Sequence, residues 1–177
     1  MNSPSRYPRT VVVLHWISAL LIIALLVTGW YMVGIPTNTP QRGFFFNLHK
    51  SLGVVTAIFI VALIVWRVRN EAPPLPSTMP RWEKLAAILN HGLFYVFMLV
   101  VTLSGYLTSS FSRFGPKFFG IPLPHWGWED AVLRGHVAAV HRVTALTFAA
   151  LIAIHIAAAL KHLILDKDAV FQRMLLK

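Results

Sequence analysis

The sequence predicts an all-α integral membrane protein, a four-helix up-and-down bundle, and three observations predict it. Hydrophobic residues make up 56% of the 177 and charged residues only 12%, about half the charged share of a soluble domain. The apolar residues fall in four long stretches, each with the roughly 20 residues that a spanning helix needs. The connections between them leave no room for a sizeable soluble domain, so consecutive helices run antiparallel. The chain 1–177 is then one transmembrane domain, with spans at about 11–34, 44–68, 82–110 and 131–165 and a cytoplasmic tail over 166–177. No repeat of 20 to 50 residues is visible, which excludes a solenoid.

Each span has a local reason. Val11 to Val33 holds no Asp, Glu, Lys or Arg and outruns the apolar region of a signal peptide; no small-residue cleavage site follows it. It is helix one, with His15 and Trp16 near its inner end. Pro36 and Pro40 break the chain into a short outer loop. Helix two runs from about Phe44 to Val68, with His49 and Lys50 in its first turns, until Arg67 and Arg69 stop it. The stretch EAPPLPSTMP makes a proline-rich inner linker. Helix three covers Trp82 to Ser110, uncharged from Leu85 onward, with His91 near its inner end. FSRFGPKFFGIPLPHWGWED is a longer outer loop whose tryptophans suit the membrane interface. Helix four spans Ala131 to Leu165, and DKDAVFQRMLLK predicts a short amphipathic helix on the cytoplasmic surface.

The net charge of +10 would suit nucleic acid if it were gathered on one soluble face, but its placement follows the membrane instead. With the N-terminus inside, the inner flanks carry ten bases: Arg6, Arg9, Arg67, Arg69, Arg81, Lys84, Lys161, Lys167, Arg173 and Lys177. The outer flanks carry five, Arg42, Lys50, Arg113, Lys117 and Arg134, with Arg142 inside helix four. That bias puts both termini in the cytoplasm. There is no cysteine, which excludes disulfides, cysteine-ligated iron–sulfur clusters and covalently attached haem. Histidine is the remaining common transition-metal ligand, and there are eight.

Helix four carries the decisive pattern. His141 and His155 are 14 residues apart, which in an α-helix leaves about 40° of rotation and about 21 Å of rise. They share a face, one near each side of the membrane. Ionisable side chains in a membrane helix are costly and usually turn to the bundle interior. His15, at the inner end of helix one, matches His155 in depth; His49, at the outer start of helix two, matches His141. Two imidazoles from different helices at one depth are what clamps a flat macrocycle, so two bis-histidine b-type haems follow. A histidine taken singly could equally bond across helices or serve a proton relay.

Other residues gather around this frame. Gly29 lies 14 residues after His15 and Gly105 lies 14 after His91, where each would either admit a macrocycle at the outer level or let helices pack closely. Lys50 and Arg142, each next to a histidine, would flank the outer haem and neutralise its propionates, or else snorkel to the interface. His162, seven residues beyond His155, extends the ligand stripe about 10 Å inward, where a quinone headgroup could meet it; an interfacial histidine without a role fits as well. His91 either joins that quinone site or donates a hydrogen bond across helices. His125 and His136 look like surface residues.

These residues also carry a resemblance. LHWISALL in helix one, NLHKSLG opening helix two, NHGLFY through SGYL in helix three, and GHVAAVHRVTALTFAALIAIHIAAALKHLILDKD in helix four resemble the bacterial cytochrome b-561 family of four-helix dihaem membrane proteins, over nearly the whole length. The resemblance implies haem ligands at His15, His49, His141 and His155, a bacterial inner-membrane location, and electron exchange with membrane ubiquinone near the cytoplasmic side, where His162 fits. It also implies, as one activity in the family, oxidation of superoxide at the outer face; Arg42, Lys50, Arg134 and Arg142 could draw in that anion. The leading expectation is a dihaem b cytochrome relaying single electrons between an outer donor and quinone, with lipid as its surroundings. Two rivals remain: an electron-transfer subunit docking a redox protein such as a dehydrogenase or hydrogenase, and a haem-free metal or proton carrier.

Overall fold

A computed structural model describes residues 6–176; Lys177, counted above among the inner bases, and residues 1–5 lie outside the described residues. Four helices form: α1 (Arg9–Gly34), α2 (Pro40–Arg69), α3 (Arg81–Ser110) and α4 (Ala131–Lys161). All four are long and apolar enough to cross a membrane, the last extending to Asp166. The fold is the expected four-helix membrane bundle.

The helix ends follow from local chemistry. Thr39 caps α2 by accepting from the Arg42 amide, and Pro40 occupies the first helical turn. Pro40 therefore starts the helix rather than breaking the chain, four residues before the expected start at Phe44. A proline there loses an amide that has no partner anyway, and its fixed φ suits the first turn. Asp130 caps α4 through the amides of Val132 and Leu133. At the other end, α4 passes into one π-helical turn (His162–Asp166), and Lys167 at φ 52° reverses the chain. The tail then holds a 3-10 turn (Phe171–Met174) in place of the expected amphipathic helix. It is tied down by two bonds: Trp16 Nε1 donates to the tail's Met174 carbonyl at 2.7 Å, and the tail's Arg173 Nη1 donates to the Pro74 carbonyl of the inner linker at 2.6 Å.

The outer loop contains a two-stranded hairpin, β1 (Lys117–Phe118) and β2 (Ile121–Pro122), turned by Phe119 and Gly120 at positive φ. It lies over α2: the Phe119 amide donates to Ser51 Oγ at 2.7 Å and Lys50 Nζ to the Gly115 carbonyl at 2.8 Å.

The helices pack closely as two hairpins, α1 with α2 and α3 with α4, and much less closely across the gap between hairpins. That gap is filled mainly in the middle, where Ile60, Met98 and Phe148 are buried and Ile22, Phe94, Phe97 and Ile152 pack around them. Phe148 is seven residues from both His141 and His155, Met98 seven from both His91 and Gly105, and Ile22 seven from both His15 and Gly29. The apolar layer therefore sits midway between two histidine levels.

Candidate functional site

The histidines paired by depth face one another across the gap. The ring centres of His15 (α1) and His155 (α4) are 6.3 Å apart, and those of His49 (α2) and His141 (α4) are also 6.3 Å apart. All four residues are half-buried. A metal–imidazole bond is about 2.0–2.1 Å and the ring centre lies about 1.1 Å behind its nitrogen, so two rings on opposite sides of one metal have centres about 6.3 Å apart. The residues therefore fit a group clamped between two axial imidazoles, and they fit it twice.

Hydrogen bonds at the outer pair orient both rings. His141 Nδ1 donates to the Val101 carbonyl at 2.8 Å, with Ser104 Oγ 3.4 Å away. The Thr28 hydroxyl gives its proton to the Ala24 carbonyl at 2.7 Å, so its oxygen accepts from His49 Nδ1 at 3.1 Å. Metal-binding histidines characteristically donate their other ring nitrogen in this way, and here that would leave Nε2 free to ligate. The glycines explain how the rings get so close. A Cβ on Gly105 would lie 2.9 Å from His141 Cε1, and one on Gly29 would lie 3.1 Å from His49 Cε1. Both glycines thus admit an imidazole edge, where the sequence had suggested a macrocycle or plain helix packing. Asn47 Oδ1 near the outer pair and Ser18 Oγ near the inner one are buried without a partner, as polar atoms beside a cofactor would be.

His91 joins the inner level. Its ring centre is 5.4 Å from that of His155, and its Nδ1 donates to the Ala87 carbonyl of its own helix at 2.7 Å, so the Nδ1 bond stays within α3 rather than crossing to another helix. His162 stands further in, with Nδ1 at 2.8 Å from Asp168 Oδ2 and 3.1 Å from Asp166 Oδ2. Lys161 bridges Asp166 at 2.6 Å and Glu83 of α3 at 3.0 Å.

The outer bases divide. Arg42 closes the C-terminus of α1, donating to the carbonyls of Met32, Val33 and Ile35, and its guanidinium lies 4.9 Å from the Phe46 ring. Lys50 is bound to the loop at Gly115. Both lie at the outer end, but their first partners are backbone carbonyls. Arg134 and Arg142 are exposed; Arg134 lines an open depression of about 290 Å³ with Arg113 and Glu129. His125 braces the loop, its Nδ1 3.1 Å from the Ser110 carbonyl, and His136 is exposed. Sequence reasoning missed Thr28, Val101, Asp166 and Asp168. The Thr28–Gly29 and Ser104–Gly105 pairs, each with its glycine 14 residues after a histidine, were the available signal for the first two.

Fold and site together define a class: a membrane-spanning bundle of two hairpins with paired histidines facing one another across the gap between them. The sequence profile of the family described as prokaryotic cytochrome b561 matches residues 6–177. Cytochrome b561 homolog 2 of Escherichia coli (strain K12) is 31% identical, over 98% of this chain and 93% of its own. Cytochrome b561 homolog 1 of the same organism is 25% identical over 97% of both chains. The chain belongs to the prokaryotic cytochrome b561 family. It is a bacterial membrane electron-transfer protein, and membership implies haem b, which removes the haem-free carrier from consideration.

Proposed function

We propose that the chain relays single electrons between a donor at the outer face and ubiquinone near the inner face. Two haem b groups would be held, one between His15 and His155 and one between His49 and His141. The observation that carries this is the equal separation of the two imidazole pairs, 6.3 Å at both levels of one helix. Haem b bound on both faces supplies one-electron chemistry without an open position for oxygen. The chain's own residues do the rest. Thr28 and the Val101 carbonyl hold the outer rings in their ligating tautomer. The Ile60, Met98 and Phe148 layer keeps water from passing between levels. His162 and His91 stand at the inner end, where a quinone carbonyl would find donors.

Superoxide is the donor this reading favours. Arg134 and Arg142 are exposed, and with Lys50 and Arg42 they make the outer end basic, a field that attracts a small anion. The excess of inner bases supports an inner-membrane orientation with both termini cytoplasmic. The test is pulse reduction of the purified protein by superoxide, with and without ubiquinone, followed at the haem absorbance. The reading expects rapid haem reduction and, with quinone present, reoxidation. Haem left oxidised by superoxide but reduced by a separate redox protein would make the chain a docking subunit instead.

A further inference from the structure

Half of the six acidic residues in this strongly basic chain, Glu83, Asp166 and Asp168, gather around one imidazole, that of His162. The backbone is shaped to put them there. Helix α4 changes to a π turn at His162, a distortion that often accompanies function. The left-handed Lys167 then folds the chain back, so that the Asp168 amide bonds the His162 carbonyl at 3.2 Å. Asp168 Oδ1 accepts from the Val170 amide at 2.9 Å, which aims Oδ2 at His162 Nδ1, 2.8 Å away.

The charged groups facing the ring can be sorted. Lys161 holds Asp166 and Glu83, so both carboxylates already have a cation. Arg173 of the tail is directed to the Pro74 carbonyl. Asp166 Oδ2 is also 3.1 Å from His162 Nδ1 but is shared with Lys161; Asp168, at 2.8 Å, is the nearer carboxylate and has no lysine on it. The ring itself is only 13% exposed in its side chain. A carboxylate on Nδ1 fixes the tautomer, stabilises the imidazolium and presents Nε2 on the opposite edge.

We propose that Asp168 is the positioning residue that makes His162 the proton donor to bound quinone. This rests on the reading that quinone is reduced at the inner end. Quinone becomes quinol by gaining two electrons and two protons. The relayed electrons reduce the ring, while the Nε2–H bond of His162 breaks and an O–H bond forms on a quinone oxygen. His162 is left neutral, keeping its Nδ1 proton in the hydrogen bond to Asp168, and Nε2 regains a proton from cytoplasmic water before the second transfer. Ile22, Phe94, Phe148 and Ile152 pack as an apolar layer between the two histidine levels, which favours entry of these protons from the inner end.

The experiment uses the full, haem-loaded chain, chemically reduced and mixed with a short-chain ubiquinone, with haem reoxidation followed against pH. Asp168→Asn is expected to slow reoxidation about tenfold near pH 8. The deficit should shrink toward pH 6, where protons are more plentiful in solution, and Asp168→Glu should restore the rate. In the wild type, ¹⁵N shifts of the His162 ring should report Nδ1–H, and that preference should weaken in Asp168→Asn, where only Asp166 at 3.1 Å remains. Should Asp168→Asn lose haem, a slower wild-type rate in D₂O still supports the idea, and an equal rate in D₂O overturns it. A deficit independent of pH, or none, makes Asp168 a structural stitch. A wild type that quinone cannot reoxidise removes the proposed function and this inference together.

Discussion

His141 donates its Nδ1 proton to the carbonyl of Val101 across 2.8 Å, and the approach is open because Gly105, one turn further along α3, has no side chain. The same arrangement recurs on α1, where Gly29 admits His49 beside the Thr28 hydroxyl. Both rings are thereby oriented, and each of the helices α1 and α3 lends the outer histidine pair a hydrogen-bond acceptor and a glycine that admits the ring.

The glycines should be sensitive to one carbon. In Gly105→Ala the new Cβ would stand 2.9 Å from His141 Cε1, closer than real contacts allow, so the ring must move. We expect this variant to lose the outer haem, halving the haem-to-protein ratio measured as the pyridine haemochrome. Gly29→Ala, with its contact at 3.1 Å, should keep both haems and bind the outer one more weakly.

Removing an acceptor should matter only where it is the one used. Thr28→Val keeps the shape and deletes the partner of His49 Nδ1, so outer-haem affinity should fall about tenfold or more, in line with lost partners of metal-bound histidines. Ser104→Ala should do little, because His141 already bonds the Val101 carbonyl at 2.8 Å and the serine is 3.4 Å away. Competition with apomyoglobin for haem measures both.

The middle layer should carry much of the stability. Phe148 is 3% exposed and touches Phe94 at 5.3 Å between ring centres. Phe→Ala in a soluble core costs about 3–5 kcal/mol; in lipid the transfer part falls away and the lost packing remains. Phe148→Ala should therefore lower stability by at least about 2 kcal/mol, read as unfolding in mixed detergent, while His15, His49, His141 and His155 keep both haems.

The tail should loosen by itself. Trp16→Phe removes the bond to the Met174 carbonyl, worth about 0.5–1.5 kcal/mol. Amide exchange should then quicken over residues 171–176, with the four helices unchanged.

Much of this protein was legible in its sequence because the membrane makes polar residues informative. His15, His49, His141 and His155 stood out since imidazoles inside apolar helices need partners, and the 14-residue spacing on α4 set two levels by helix geometry alone. What escaped depends on the path of the backbone. Pro40 carries the same letter whether it breaks a chain or begins a helix, and Thr39 beside it decides which. Asp168 reaches His162 only because α4 ends in a π turn and a left-handed residue. Arg42 and Lys50 were recognised as outer charges, but their carbonyl partners come from a helix end and a loop whose courses no spacing rule gives.

The most direct test is haem content and low-temperature spectrum of the wild type beside four single variants, His15→Ala, His155→Ala, His49→Ala and His141→Ala. The account predicts two haems in the wild type and one in each variant. His15→Ala and His155→Ala should lose the same spectral component, and His49→Ala and His141→Ala the other. One haem in fully loaded wild type, or different components lost by His15→Ala and His155→Ala, would contradict it.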